Sequence, residues 1–340
     1  MSETDPLIEA AVAGAEAYVV GGAVRDRLLG RRVLDIDVAC PDPVAAARRY
    51  AVASGGAVFP LSERHGAWRV ALADGRTVDF TPLPDGIEAD LATRDFTVNA
   101  VAVPVGRCDP VDPHGGQVDL DARRLRAVSP SVFEADPLRL LRAVRLEDEL
   151  GFRLDQETEA LLRRSAARVG DPAGERILAE LERLSADGYR RLDEVGLLAG
   201  LGGSLERLRP VDPPLLLVLV FGRELERLPI SNDLRRLTRR VLAAEPPSDD
   251  SPRAIHRFRV ATEPYALDAL GYLGREDLAA AVEAARSAEP PGPLLRGGEL
   301  GLEPGPEIGR LLARVAEERA AGTIATREEA LELVRRERGG

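Results

Sequence analysis

The sequence predicts a protein of the α+β class, in which a small α/β head is followed by a long helical region. Two observations support this prediction. Short apolar or alternating runs that suit strands occur within the first 105 or so residues. From about Pro130 onward, Leu, Ala, Arg and Glu recur at helical intervals instead. With 340 residues, the chain is long enough for two or more domains.

The head contains three predicted strands, one predicted hairpin and one predicted helix. These are the strands Ala17–Val20, Val33–Ala39 and Phe96–Val105, the hairpin Trp68–Leu83 and the helix Pro43–Ser54. The hairpin turns at Asp74–Gly75, a favoured turn pair. The first turn of Phe96–Val105 could instead be helical. In the second half, breaks rich in Pro and Gly separate the helices, and the segment from Leu294 ends in two helices.

Composition limits the possible functions. The net charge is −11 and no lysine is present, so a globally basic coat for nucleic acid is excluded and every cationic contact uses arginine. Aromatic residues make up only 4%, which disfavours a broad base-stacking platform. Cys40 and Cys108 cannot build a disulfide framework. Because no apolar run has the length of a membrane span and Met1–Asp5 lacks a signal-peptide pattern, we expect a cytoplasmic protein without a membrane partner.

The pair Gly21–Gly22 lies between a predicted strand and a predicted helix. Glycine lets the backbone approach a ligand closely, and the N–H groups that begin a helix attract phosphate. Arg25, within the first helical turn, can reach a bound triphosphate. Taken alone, the motif fits an ordinary strand-to-helix turn with a surface arginine equally well.

Asp35 and Asp37 strengthen the phosphate interpretation. Alternation along a strand places both carboxylates on one face, while Leu34, Ile36 and Val38 point into a core. Two adjacent like charges repel each other unless a cation lies between them, and hard oxygen ligands suit Mg²⁺. Asp79 has a similar strand context, so it completes a two-metal site if its strand pairs with Val33–Ala39. A surface acid on a hairpin is the alternative for Asp79.

Three ordered motifs identify a family. The segments "VVGGAVRDRLLG…LDIDVA", "TRDFTVNAVAV" and "DPLRLLRAVRL" resemble the class II tRNA nucleotidyltransferase and bacterial poly(A) polymerase family, within the DNA polymerase beta-type nucleotidyltransferases. The resemblance implies a mixed-sheet head over residues 1–128, a helical neck over 129–190, a helical body over 191–288 and a helical tail over 289–340 that binds tRNA. It also implies that Asp35 and Asp37 hold the catalytic metals, and that Gly22 and Arg25 meet the triphosphate.

The "RDFTxNA" motif of the family matches Arg94, Asp95 and Asn99, which implies contacts to ribose and phosphate. A purely structural role is equally consistent with the residue types, since Asp95 could cap a helix or pair with Arg94. The motif "GERILAEL" is implied to brace the neck. We expect its Glu175, Arg176 and Glu180 to be structural, through i,i+4 pairing.

The segment "EADPLRLLRAVR" predicts a helix that begins with proline at its first position. Asp136, Arg139, Arg142 and Arg145 follow one another at steps of three and are expected to share one face. From spacing alone this is an amphipathic helix with a solvated arginine stripe. With the family resemblance, the face becomes a template for the base: Asp136 accepts and Arg139 donates hydrogen bonds, which matches cytosine and adenine but not uracil or guanine.

The resemblance predicts an enzyme that adds CCA, or part of it, to the 3′ end of tRNA from CTP and ATP, without an obligate protein partner. A poly(A) polymerase of the same family is the alternative with the same chemistry. A relative that binds RNA without catalysis is disfavoured because Asp35 and Asp37 are both present. A dehydrogenase is disfavoured because the glycine spacing of a dinucleotide fold is absent. Ala135 stands where the family usually has a glutamate, which affects the fine positioning of the nucleotide.

Overall fold

The computed structural model describes residues 5–62 and 66–339. The chain divides into two compact units, Met1–Leu201 and Gly202–Gly340. The first unit contains all strands that the structure describes, and the second is helical. The predicted α+β class is therefore confirmed.

A six-stranded mixed sheet forms the centre of the first unit. Its strands are β1 (Tyr18–Val20), β2 (Asp35–Cys40), β3 (Ala57–Ser62), β4 (Ala67–Ala71), β5 (Thr77–Pro82) and β6 (Ala102–Pro104). The spatial order is β3-β4-β5-β2-β1-β6, in which β2 and β5 are parallel and all other neighbours are antiparallel. Two short strands, β7 (Arg124–Leu125) and β8 (Arg153–Leu154), form a separate parallel pair.

Ten α-helices among the described residues of the first unit surround these strands. They are α1 (Pro6–Val12), α2 (Gly22–Leu28), α3 (Pro43–Ser54), α4 (Ile87–Ala92), α5 (Gly116–Asp121), α6 (Val132–Ala135), α7 (Arg139–Leu150), α8 (Gln156–Ser165), α9 (Gly174–Leu181) and α10 (Ala186–Glu194). The helix α3 has the predicted bounds, with Asp42 capping its first turn through Ala45 N–H.

The two faces of the sheet have different environments. On one face, Val38, Val70, Val78 and Phe80 form a core with Tyr50 of α3. On the other face, apolar contacts with Ile87 and Leu91 of α4 cover the sheet at Val20 and Ala39. Asp37 and its direct cross-strand neighbours lie on this second face, since directly paired residues share a face.

Several strand predictions are confirmed in type but differ at their ends. The hairpin is confirmed as β4 and β5, and Phe96–Val105 begins with a 3₁₀ turn at Thr97–Asn99 before β6, so the helical alternative for its first turn is correct. The prediction that Leu34 points into a core is wrong. Because β2 begins only at Asp35, Leu34 lies before the paired strand and is 45% exposed.

Seven α-helices occur among the described residues of the second unit: α11 (Pro213–Phe221), α12 (Asn232–Leu242), α13 (Pro252–Thr262), α14 (Ala266–Leu273), α15 (Ala279–Ser287), α16 (Pro306–Ala320) and α17 (Arg327–Gly339). The predicted pair of helices after Leu294 is confirmed as α16 and α17. Their apolar faces pack with each other around Leu311, Val315 and Leu333. Over the ranges 5–62 and 66–339, none of the helices combines the length and apolar character needed to cross a bilayer.

Candidate active site

A polar cavity of about 290 Å³ in the first unit brings together most of the predicted site residues. Its lining consists of Gly21, Gly22, Asp37, Asp90, Thr93, Arg94, Asp95, Asn99, Asp136, Leu138, Arg139, Arg142 and Arg176. Residues that are more than a hundred positions apart in the chain therefore share one wall. The cavity is lined by acids and guanidinium groups, which suits a charged ligand.

Gly21 forms the sharp turn between β1 and α2. Its backbone has φ +71°, a conformation that side chains disfavour. A Cβ at this position would lie 3.2 Å from Nη1 of Arg94 and 3.5 Å from Oδ2 of Asp37. The absence of a side chain therefore keeps the space between an arginine and an acid open at the start of a helix.

Arg25 lies behind this turn and does not line the cavity. Only 6% of its surface is exposed, and its guanidinium donates to Oδ1 of Asn99 (2.8 Å) and to both carboxylate oxygens of Asp26 (2.9 and 3.0 Å). The expected direct reach to a triphosphate is therefore not seen, because the guanidinium is used within the protein. A Cβ on Gly22 would lie 3.5 Å from Nη2 of Arg25, so this arginine packs next to the glycine turn.

Asp37 reaches the cavity from β2. Burial raises the pKa of its carboxyl group, and the negative charges of Asp79 and Asp35 act in the same direction. Arg94 and Arg142 oppose this rise without cancelling it. Burial thus disfavours the ionised form of Asp37, and a bound cation would offset this penalty.

Asp79 lies directly beside Asp37, as the strand pairing predicted. Its two carboxylate oxygens accept hydrogen bonds from Nε and Nη2 of Arg69, each at 2.7 Å. Arg69 belongs to β4, directly opposite Asp79, and the sequence interpretation did not single it out. The ion pair neutralises Asp79 and leaves its proposed role as a third metal ligand without support from the geometry.

The motif residues Arg94, Asp95 and Asn99 all line the cavity, but their pairing differs from expectation. Arg94 donates to Asp90 on α4 (2.7 and 3.0 Å) rather than to Asp95. Asp95 instead accepts from Nδ2 of Asn99 (2.9 Å), and its Oδ2 lies 2.7 Å from Nε of Arg142, an ion pair without hydrogen-bond alignment. Asp90 was missed, although its spacing of four residues before Arg94 is the usual sign of a helical ion pair.

Asp136 lines the cavity from the segment just before α7. The helix begins at Arg139, so Pro137 belongs to a preceding turn and not to the first helical position. Oδ1 of Asp136 accepts from Leu138 N–H (3.1 Å), and Oδ2 accepts from Nη2 of Arg176 (2.7 Å). Burial acts to raise the pKa of Asp136, but the hydrogen bonds from Arg176 and Leu138 hold it below its usual range. Its carboxylate is therefore an acceptor.

Arg176 is a cavity residue that the sequence interpretation placed elsewhere. The expectation that it braces α9 by i,i+4 pairing with Glu180 is wrong, because its guanidinium reaches Asp136 across to the start of α7. Arg139 is adjacent, and its Nη2 donates to the carbonyl oxygen of Thr93 at 2.7 Å. Both predicted base-reading groups therefore have hydrogen-bond partners within the protein.

Arg145 does not belong to the cavity, and the predicted single face of four residues is wrong in this respect. Its side chain is 6% exposed, and its guanidinium pairs with Glu149 and Glu180, each at 2.5 Å. Three residues along a helix advance by about 300°, so each step of three drifts by about 60°. Arg139 and Arg142 reach the cavity, whereas Arg145 has turned toward α9, where it confirms the bracing role of Glu180.

The carboxylates of β2 suit a divalent cation with hard-ligand preference. Asp35 and Asp37 point to the same face, and Oδ1 of Asp35 accepts from the hydroxyl of Thr77 at 2.7 Å, which holds the side chain in place. Within the described part of the chain, no group of three or more His, Cys, Asp or Glu side chains is arranged for a metal. Two carboxylates completed by substrate phosphates are the usual way in which proteins bind Mg²⁺.

Comparisons with known proteins agree with the fold and identify the family. A sequence model described as the Poly A polymerase head domain matches residues 17–83 and 63–126. The A-adding tRNA nucleotidyltransferase of Deinococcus radiodurans is 36% identical over 416 residues, covering 94% of this chain and 95% of that protein. The CC-adding tRNA nucleotidyltransferase of Thermus thermophilus is 32% identical over 419 residues, covering 96% and 94%.

The fold also matches a solved structure along nearly its whole length. The Thermotoga maritima CCA-adding enzyme complexed with tRNA aligns with a TM-score of 0.75 at 22% identity, covering 99% of this chain and 97% of that chain. At this identity the similarity shows the shared α+β architecture.

Proposed function

Because this chain belongs to the class II tRNA nucleotidyltransferase and bacterial poly(A) polymerase family, we propose that it adds CCA, or part of it, to the 3′ end of tRNA. It is a template-independent nucleotidyltransferase that uses CTP, ATP or both. One observation carries the proposal: a single cavity holds the metal-binding candidate Asp37 together with the base-reading candidates Asp136 and Arg139. Reaction and nucleotide choice thus take place in one compartment.

The residues around the glycine turn bind the reacting phosphates. Asp35 and Asp37 would hold Mg²⁺, which would supply activation of the RNA hydroxyl and stabilisation of the departing pyrophosphate. The 3′-hydroxyl oxygen bonds to the α-phosphorus as the bond to pyrophosphate breaks, and the hydroxyl proton passes to solvent. Gly21 and Gly22 let the triphosphate approach the start of α2, and Arg94 contributes positive charge beside it. Arg25 acts indirectly, by holding the side chain of Asn99 in place.

The wall of the cavity formed by Asp136 and Arg139 selects the base. The ionised carboxylate of Asp136 accepts a hydrogen bond from the exocyclic amine of cytosine or adenine, and Arg139 donates to the adjacent ring nitrogen. Uracil and guanine present a carbonyl oxygen at the amine position and leave the carboxylate without a donor. Each such mismatch costs about 1–3 kcal/mol in a site shielded from water. Arg142 and Asp95 support this wall as an ion pair.

The helical remainder of the chain binds the tRNA body. We retain the division into a head over 1–128, a neck over 129–190, a body over 191–288 and a tail over 289–340 as part of the proposal.

Cys40 and Cys108 are both unpaired, which supports a reducing, cytoplasmic location.

The test is nucleotide addition to tRNA that lacks its 3′-terminal nucleotides. The substrate is supplied with CTP alone, ATP alone, or both, and the products are separated on a sequencing gel. Products one to three nucleotides longer support the proposal and show whether C, A or both are added. A long tail with ATP alone identifies a poly(A) polymerase, and no product in the presence of excess Mg²⁺, either on tRNA that lacks all of CCA or on tRNA that ends in CC, refutes catalysis.

A further inference from the structure

A row of directly paired side chains runs across the sheet from the candidate metal site to its outer edge. Asp37 of β2 pairs with Asp79 of β5, Asp79 with Arg69 of β4, and Arg69 with Phe59 of β3. Directly paired residues lie on the same face, and the Asp79–Arg69 contact at 2.7 Å confirms this for the middle of the row. Phe59 is therefore three strand spacings, about 14 Å, from Asp37.

This part of the catalytic face is open to solvent. The helix α4 covers the same face at Val20 and Ala39, whereas Phe59 is 42% exposed and the side chain of Arg69 is 33% exposed. The edge position of β3 leaves the ring of Phe59 accessible beside a cationic side chain. An exposed aromatic ring beside arginine is the usual arrangement for stacking a base of single-stranded nucleic acid.

The lining of the nucleotide cavity leaves this side of Asp37 free for the RNA. In phosphoryl transfer the attacking and leaving oxygens lie roughly in line. Among the described residues, those that line the nucleotide cavity come from the glycine turn, α4, the motif after it, and the starts of α7 and α9, and none belongs to β3, β4 or β5. The nucleotide cavity thus lies on one side of Asp37 and leaves the side of β5, β4 and β3 for the RNA, whose 3′-hydroxyl attacks the α-phosphorus opposite the departing pyrophosphate.

We propose that Phe59 and Arg69 form a binding track for the 3′-terminal nucleotides of the RNA acceptor, with Phe59 stacking on a base upstream of the 3′ end. This inference rests on the proposed function of the site. Arg69 has two roles in it: it neutralises Asp79, and it reduces the repulsion between the RNA phosphates and the acidic residues of the sheet. The track adds a second contact to RNA besides the helical remainder of the chain.

The test compares three variants in steady-state nucleotide addition to truncated tRNA. Phe59→Ala is expected to raise KM for tRNA about 5- to 150-fold, the range for loss of one base stack, while KM for the nucleotide stays unchanged. Phe59→Tyr keeps the ring and is expected to retain the wild-type KM. Val58→Ala is the matched control, since Val58 is 36% exposed on the same strand but its side chain points to the opposite face.

A binding measurement separates this inference from the proposed function. Phe59→Trp introduces a second tryptophan beside Trp68, and its additional fluorescence should be quenched by truncated tRNA without any nucleotide present. If the wild type extends tRNA but Phe59→Ala leaves KM for tRNA unchanged, or Val58→Ala raises it equally, the track is refuted and the function stands. If the wild type does not extend tRNA, quenching of the Phe59→Trp fluorescence by tRNA still supports the track. The absence of quenching overturns the track.

Discussion

Replacement of Asp136 by asparagine tests the proposed role of its carboxylate in selecting the base. Asp136→Asn keeps the size of the side chain and leaves an oxygen that can still accept from Leu138 N–H. It removes the negative charge and introduces an NH₂ group that can face the nucleotide. Because an amide both donates and accepts, the wall no longer distinguishes an exocyclic amine from a carbonyl oxygen.

The structure allows the stability and selectivity effects of this variant to be separated. The ion pair with Arg176 is partly solvated, with 29% of the aspartate and 52% of the arginine side chain exposed, so its loss costs at most about 1 kcal/mol of folding free energy. Loss of discrimination against one mismatched group corresponds to about 1–3 kcal/mol. The ratio of kcat/KM for CTP over UTP, or for ATP over GTP, is therefore expected to fall about 5- to 150-fold in a folded protein.

Single-nucleotide incorporation into truncated tRNA measures this ratio for each nucleoside triphosphate. Asp171→Asn is the matched control, because Asp171 forms a similar exposed pair with Arg168 at 2.9 Å and does not line the cavity. An unchanged ratio in Asp136→Asn would show that selection of the base lies elsewhere. An equal decrease in the control would show that the effect is general.

Three further perturbations test the rest of the site and its support. Asp37→Ala is expected to abolish nucleotide addition while tRNA binding in a filter assay survives; full turnover would exclude the metal role. Gly21→Ala should lower kcat/KM for the nucleotide more than tenfold. Its control is Gly14→Ala, where φ is a similar +75° but no neighbour lies within 4 Å, so that only stability should change. Steady-state kinetics and thermal melts of both variants measure these effects. Asp119→Asn should lower the free energy of unfolding by about 2 kcal/mol in urea titrations, since the buried carboxylate accepts bonds from two arginines and a threonine. Burial acts to raise the pKa of Asp119 but those bonds hold it below the usual value, so this stability is present above the unfolded pKa and should disappear as pH falls through the lower folded pKa; an acid-independent difference would contradict the assignment.

The features predicted correctly from the sequence are those that depend on one element or on two neighbouring ones. Alternation alone places Asp35 and Asp37 on one face of a strand, and the hairpin pattern places Asp79 on another strand, whose pairing with β2 is a condition that only the structure supplies. The turn at Gly21 is predicted because a close approach between strand and helix requires a residue without a side chain. These predictions need only backbone geometry, which the order of apolar and polar residues indicates directly.

The pairing of individual arginines with individual acids could not be predicted in the same way. The chain has 46 basic and 57 acidic residues, so each guanidinium has many possible partners, and a long side chain reaches residues on other elements. Arg69 meets Asp79 because β4 and β5 are in a register that places them opposite each other. Arg176 meets Asp136 because α9 packs against α7, a contact between elements 40 residues apart.

The helix α7 shows how a local rule gives a wrong result when it is applied too far. Arg139 and Arg142 differ by about 60° around the helix and both reach the cavity, but a second step of three carries Arg145 to about 120° from Arg139. At that angle its guanidinium contacts Glu180 of α9, and its side chain is 6% exposed. The same periodicity therefore divides one arginine series between two tasks: the first two members serve the cavity, and the third fastens α7 to α9. Since α9 also carries Arg176, the pair of Arg145 and Glu180 holds in place the helix whose arginine binds Asp136, so the proposed base-reading wall depends on an ion pair outside the cavity.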